Sequence, residues 1–328
     1  PTIKGYIFLG DVFRVIGELD SSRFYYEKAE LLDPLDLHPQ SSLVHLNSIL
    51  GNVSKNNYYD LFSFCRSNQD SVYVFYMLSD FYQLKGQMSK SESLEDSIYL
   101  CCDKKTFLDS ICNFIDIRLH MLLDVGKTND VLSILSQLEK EFQFNLESLI
   151  ENNKLDNKDL MATIDNVKTK IGIIYIHESI QSEYALYIKS YINYIENYYE
   201  NNYNYALGEL KFLLKAKIEA FNNNYDEAIS ILESNKNGES TIDYFTTLAR
   251  YYHAKGDFVK SKEYFDLVLK RNPHNPKIHY YMALLLHEWD KQEQAVYHLD
   301  YASKIWKEAD EDYIFYNRLK STVLDWDL

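Results

Sequence analysis

Small and large apolar residues recur at a fixed interval in this chain, and the same pattern returns 34 residues later. Ala249 and Ala283 share one small position, while Phe265 and Leu299 share one large position. Within each half of the pattern the apolar residues are three or four apart, which is typical of the buried stripe of an α-helix. A period of this length predicts pairs of antiparallel helices that stack on their neighbours.

The pattern is sharp in three places and weaker elsewhere. The sharp copies run from Tyr6 to Pro34, from Phe245 to Pro273 and from His279 to Lys307. Weaker copies lie between them, at Phe75–Ile98, Ile115–Leu138 and Phe212–Leu232, with degenerate pairs at His38–Asn68 and Val167–Tyr199. The repeats therefore cover most of the chain.

Turn residues fall where such a unit needs them. Gly17 and Gly256 follow the first helix of their copies, where a left-handed residue commonly ends a helix. Pro34 and Pro273 stand where the second helix must stop, because proline cannot continue it. Small residues such as Gly10 are expected to let two helix backbones approach closely.

These residues resemble the tetratricopeptide repeat family. The resemblance implies an all-α fold, a right-handed α-solenoid of antiparallel helix pairs, with Asp310–Asp327 as a C-terminal capping helix. It also implies that the first helices line a concave groove that binds protein. A polar stretch predicts a boundary, which gives an N-terminal array at residues 1–143, a linker at 144–165 and a C-terminal array with its cap at 166–328.

Composition and charge limit the partners and the cellular location that are expected for the chain. The net charge of −15 opposes contact with the phosphates of nucleic acids, so we expect no direct nucleic-acid binding. No apolar run approaches the roughly 20 residues that cross a bilayer, so no membrane insertion is expected. The first ten residues do not resemble a secretory signal, which favours a cytoplasmic protein.

Motifs for catalysis are missing from the sequence. The nucleophile, metalloprotease and phosphate-binding signatures are absent, and the four cysteines fit no zinc spacing. Adjacent helix residues point about 100° apart, so His177 with Glu178, and His287 with Glu288, share no face. We therefore expect no enzyme activity, no metal and no cofactor.

Candidate binding residues come from the family's groove positions, which are the second, fifth, ninth and twelfth of each repeat. The positions chosen as partner contacts are Arg14, Tyr73, Tyr76, Asp80, Arg250, His253, Lys277, Tyr280 and His287. The carboxylate clamp of some family members needs asparagine at position nine, where this chain has Asp11, Asp80, His120, Arg250 or Leu284.

Within that set, charge and ring chemistry assign two roles. Arg250, His253 and Lys277 are the best candidates for binding an anion. Tyr73, Tyr76 and Tyr280 are candidate anchors, because tyrosine offers broad contact at low entropic cost. A tyrosine stripe would allow self-association if it were exposed, and it comprises Tyr191, Tyr194, Tyr198 and Tyr199.

Three functions fit these features. The leading interpretation is a scaffold or adaptor that binds a protein or peptide partner in the groove. The alternative is a regulatory sensor, since peptide-responsive bacterial regulators are similar helical arrays joined to an effector domain. A third is an accessory domain of an enzyme.

Overall fold

The computed structural model describes residues 2–94, 97–98, 118–136, 169–199, 205–235 and 241–326. Every regular element in these ranges is helical, which confirms the all-α fold class. Contacts between Cα atoms divide the chain into two compact units. The first unit combines residues 1–103 with 238–328, and the second comprises residues 104–237.

The helices of residues 1–103 form successive hairpins. Their bounds are α1 Ile3–Val15, α2 Leu19–Leu32, α3 Leu37–Ile49, α4 Lys55–Leu61, α5 Asn68–Leu84 and α6 Met88–Glu92. A short 3-10 turn, Phe62–Phe64, follows α4. Polar side chains begin these helices where the sequence offers them: Thr2 caps α1 and Ser67 caps α5 by accepting from backbone N–H groups.

The second unit is also built from helices. Its named elements are α7 His120–Asp124, α8 Ala185–Tyr199, α9 Tyr205–Phe221 and α10 Tyr225–Ser234. Residues 128–136 and 169–176 are helical as well. The turn between α9 and α10 includes Asn223, which takes the left-handed conformation with φ 61°. Tyr191 of the predicted stripe is buried against Tyr175, while the side chains of Tyr194, Tyr198 and Tyr199 lie outside the described set.

The C-terminal part of the first unit contains two hairpins and a final helix. The bounds are α11 Ile242–Lys255, α12 Phe258–Arg271, α13 Pro276–Glu288, α14 Gln292–Ile305 and α15 Ile314–Asp325. The predicted capping helix is α15, and it closes the core with Tyr313, Phe315 and Leu319, each at most 2% exposed.

Small residues lie between the two helices of each hairpin, as the repeat predicts. Their members are twelve residues apart, and the pairs are Gly10 with Ser22, Ser79 with Ser91, Ala249 with Ser261 and Ala283 with Ala295. All eight are buried. Ser79 and Ser91 bond through their hydroxyls at 2.6 Å, and Ser261 Oγ donates to the Ala249 carbonyl at 2.8 Å. The helices therefore approach one another closely at these positions.

The residue after the first helix of a hairpin repeatedly adopts positive φ. Gly17 has φ 80° and Gly256 has φ 84°, which confirms both predicted caps. Asp290, in the corresponding place of the last hairpin, accepts the same conformation with φ 56°. The turn geometry is thus a property of the repeat, even where glycine is absent.

A line of contacts joins the two segments of the first unit, and we call it the seam. The turns at Gly17, Gly51 and Gly86 lie against residues 270–274 and 306–313. The His274 N–H donates to the Ile49 carbonyl at 3.1 Å, and the Asp310 N–H donates to the Gly86 carbonyl at 2.9 Å. Ser89 N–H donates to the Asp310 carboxylate at 2.6 Å. Hairpins far apart in sequence are therefore bonded backbone to backbone.

The predicted boundary at residues 144–165 lies outside the described residues, as do Cys101, Cys102 and Cys112. It stays a prediction, together with the arrays of residues 1–143 and 166–328. Cys65 is described and is a half-buried free thiol.

Candidate partner-binding surface

Asp11 and Arg14 occupy the ninth and twelfth positions of the first repeat, and Asp11 is bonded to a buried tyrosine of the same hairpin. Asp11 accepts a hydrogen bond from the Tyr26 hydroxyl at 2.6 Å and lies 3.6 Å from Arg14. Burial and the Asp11 carboxylate raise the pKa of Tyr26 to about 12, so this hydroxyl stays a donor. Asp11 nevertheless keeps 46% of its side chain exposed. The core thus orients a carboxylate that solvent and a partner can reach.

The same surface continues across α3 and α5. Partial burial lowers the pKa of the His45 imidazole. The charge of Arg14 lowers this pKa further and the charge of Asp11 raises it, because both side chains lie near His45. Burial raises the pKa of Tyr58. A hydrogen bond with Ser48 lowers this pKa, and the charge of Asp80 raises it further. Tyr58 therefore lies between the first helices of two successive hairpins.

We call this set the N-terminal row, and it comprises Asp11, Arg14, His45, Tyr73 and Asp80. Asp80 is exposed and Tyr73 is 47% exposed. His45 was missed at the level of sequence, although it lies 34 residues after Asp11 and hence at the same repeat position. Tyr76, also predicted as an anchor, is half-buried, and its role stays a prediction.

The predicted anion site at the C-terminal hairpins is occupied by groups of the protein itself. The Arg250 guanidinium lies 4.9 Å from the centre of the Tyr281 ring. The His253 imidazole lies 3.0 Å from a carboxylate oxygen of Glu288. The structure brings these two side chains near the predicted surface, but it gives each of them an internal partner.

The remaining predicted residues of α13 face the last helix. The Lys277 ammonium lies 4.3 Å from the centre of the Phe315 ring, and the His287 ring stacks on Trp326 at 3.9 Å. Tyr280 is 5% exposed and its hydroxyl bonds with Thr322 at 3.2 Å. The prediction of Tyr280 as a surface anchor is therefore wrong, because the capping helix covers its ring.

Three histidines meet beside the seam. The His279 Nε2–H donates to the Pro273 carbonyl at 3.0 Å, so its Nδ1 accepts from His298 at 2.8 Å. His274 Nδ1 lies 2.9 Å from the Tyr301 hydroxyl. Burial lowers the pKa of all three imidazoles, to about 4 for His298. The charge of Lys85 lowers the pKa of His274 further, and the charge of Lys262 lowers the pKa of His298 further.

Acid is expected to weaken the fold through this histidine cluster. Since the unfolded histidines take up protons near pH 6.5 and the folded ones do not, the free energy of unfolding should fall as the pH drops from about 6.5 towards 4. Urea unfolding at several pH values measures this fall. His298→Gln should make it shallower, and an unchanged pH dependence in that variant would contradict the role of the cluster.

Metal and membrane features were sought over the same ranges. Among the described residues, no group of three or more His, Cys, Asp or Glu is arranged to hold a metal ion. In those ranges no helix combines the length and apolarity that crossing a membrane requires.

Comparison with known proteins gives one family match. The tetratricopeptide repeat profile matches residues 242–275, the helices α11 and α12 with their turns. No curated protein matches the chain. This register is the one predicted from Phe245 to Pro273.

Three solved structures are similar at low identity. The P58(IPK) TPR domain is 11% identical with a TM-score of 0.29 and covers 98% of each chain. Yeast Tom70 is 14% identical with a TM-score of 0.34 over 94% of this chain and 77% of its own. The APC/C hetero-tetramer Cut9–Hcn1 is 12% identical with a TM-score of 0.32 over 94% and 74%.

The repeat is assigned from the profile match and from the same buried small pairs in the other hairpins. With α11 and α12 matching the family profile, and with Gly10, Ser79 and Ala283 buried as Ala249 is, residues 242–275 are a tetratricopeptide repeat within a series of hairpins that pack in a similar way.

Proposed function

We propose that the chain is a scaffold that binds a polypeptide segment along the N-terminal row. The observation that carries this proposal is the alignment of Asp11, His45 and Asp80, the ninth positions of three successive first helices, on one connected surface. An extended peptide crossing these helices would meet one polar side chain on each. No step of a reaction is assigned to the row.

The chemistry of the row favours a partner with basic residues. The row carries two carboxylates: Asp11 lies near the imidazole of His45, and Asp80 lies near Tyr58, while Arg14 is already paired with Asp11. The exposed ring of Tyr73 offers an aromatic face on which a Lys or Arg side chain can stack. The net charge of −15 would also speed the approach of a basic segment.

The anion-binding alternative at Arg250, His253 and Lys277 has less support. An acidic partner would have to displace Tyr281, Glu288 and Phe315 from these side chains. Each displacement costs part of the energy that holds the last two hairpins and the capping helix. The N-terminal row instead presents the exposed carboxylates of Asp11 and Asp80 near the exposed ring of Tyr73, and this favours it as the binding site.

Neutralising the row should weaken binding of basic peptides. Asp11→Asn with Asp80→Asn keeps the oxygen that accepts from Tyr26 and removes two charges. We expect the Kd of basic peptides, selected from an array of synthetic 15-residue peptides, to rise about three- to tenfold. Fluorescence anisotropy measures this change, and raising the salt concentration should reduce the difference between the proteins.

A matched control removes the same charge elsewhere. Glu263 and Glu293 are exposed on α12 and α14, so Glu263→Gln with Glu293→Gln should leave peptide affinity within about twofold of the unchanged protein. If both double variants lost the same peptide affinity, the loss would reflect the net charge of the protein and not the N-terminal row. An array that selects acidic peptides would contradict the proposed partner chemistry.

A further inference from the structure

One face of α1 exposes five large apolar side chains to solvent. They are Phe8 at 65%, Leu9 at 37%, Val12 at 41%, Val15 at 41% and Ile16 at 48% exposed. Their spacing places them on one side of the helix, the side opposite to the Gly10 contact with α2. No charged residue lies among them on that face.

The repeat shows that this face is normally covered. Leu9 occupies the position taken by Leu78, Leu248 and Met282 in other hairpins, and those three are at most 1% exposed. The same side-chain position is therefore core wherever another helix packs beside it. In the first hairpin this position, Leu9, is still 37% exposed.

The five α1 side chains together expose about 400 Å² of apolar surface, within the range of the largest patch on a typical monomer. A standard interface buries about 800 Å² per partner, somewhat more than half of it apolar, so this face would supply most of the apolar area that such an interface needs.

We propose that two copies of this chain pair through α1, antiparallel across a two-fold axis near Val12. This arrangement places Phe8 opposite Ile16 and Leu9 opposite Val15 of the other copy, as a self-complementary interface requires. Since each chain carries a net charge of −15, an uncharged face is where two copies repel least.

The mass of the 328-residue chain in solution tests the pairing. Sedimentation velocity should show a species of twice 38.7 kDa. Val12→Glu should raise the dimer dissociation constant at least tenfold, because it buries a charge in the interface. Val296→Glu makes the same change at a site that is 37% exposed on α14, and it should leave the dimer intact.

Circular dichroism must show that each variant is folded, and Phe8→Glu replaces Val12→Glu if the latter is not. A monomer at 100 μM, a dimer unaffected by Val12→Glu and Phe8→Glu, or a monomer that uses this face to bind a helix of another protein would each overturn the proposal.

Discussion

Replacing Trp306 by alanine is expected to lower the free energy of unfolding by about 3–5 kcal/mol, the largest loss that a single side chain of the first unit should produce. Trp306 is fully buried, and its Nε1–H donates to the Leu84 carbonyl at 3.1 Å. Its ring lies 5.6 Å from that of Tyr313 and 5.9 Å from that of Phe315. One side chain therefore touches α5, the last hairpin and the approach to the capping helix.

Urea unfolding of Trp306→Ala measures this loss, and Trp289→Ala is the control. Trp289 is only half-buried and packs mainly on Phe258 and Lys291, so its loss should be less than half as large. Trp306→Phe keeps a ring but leaves the Leu84 carbonyl unpaired, and we expect an intermediate cost. Similar losses for Trp306→Ala and Trp289→Ala would contradict the central place of Trp306.

The hairpins could be predicted from sequence because their determinants are local. A small residue at Ala249 and another at Ser261, twelve positions later, specify where two neighbouring helices touch. Gly256 between them specifies the turn. These three residues lie within one repeat, so their spacing alone encodes the geometry.

The seam could not be predicted in the same way. Its bonds join residues such as Gln87 and Glu308, which are 221 positions apart. They involve backbone groups and single polar side chains in turns, and such residues do not recur at a fixed interval in the sequence. The resulting first unit, which unites both ends of the chain, therefore emerges only in three dimensions.

The candidate surface was predicted in part. Repeat positions placed Asp11, Arg14 and Asp80 on first helices, where helix geometry fixes which way they face, and their contact with a partner stays a prediction. The environment of Lys277, Tyr280 and His287 depends on α15, and the repeat pattern does not specify which side chains this capping helix covers. A capping helix thus converts predicted groove residues into core and cation–π contacts.

The close approach of helices at Gly10 gives the sharpest test of the repeat. A Cβ atom on Gly10 would lie 2.4 Å from the ring of Tyr26. That ring is 1% exposed and its hydroxyl is bonded to Asp11, so it cannot move aside cheaply. Gly10→Ala should therefore cost about 1–3 kcal/mol, although alanine is the better helix former.

Gly5 in the same helix provides the matched control, because its Cβ would meet only the Thr2 hydroxyl at 3.2 Å. Gly5→Ala is expected to be neutral or stabilising by up to about 1 kcal/mol. Thermal and urea unfolding of both variants measure the difference, which should have opposite sign or clearly different size. If Gly10→Ala were as well tolerated as Gly5→Ala, close packing of α1 on α2 would not be what selects glycine there, and the physical basis of the small-residue repeat would fail.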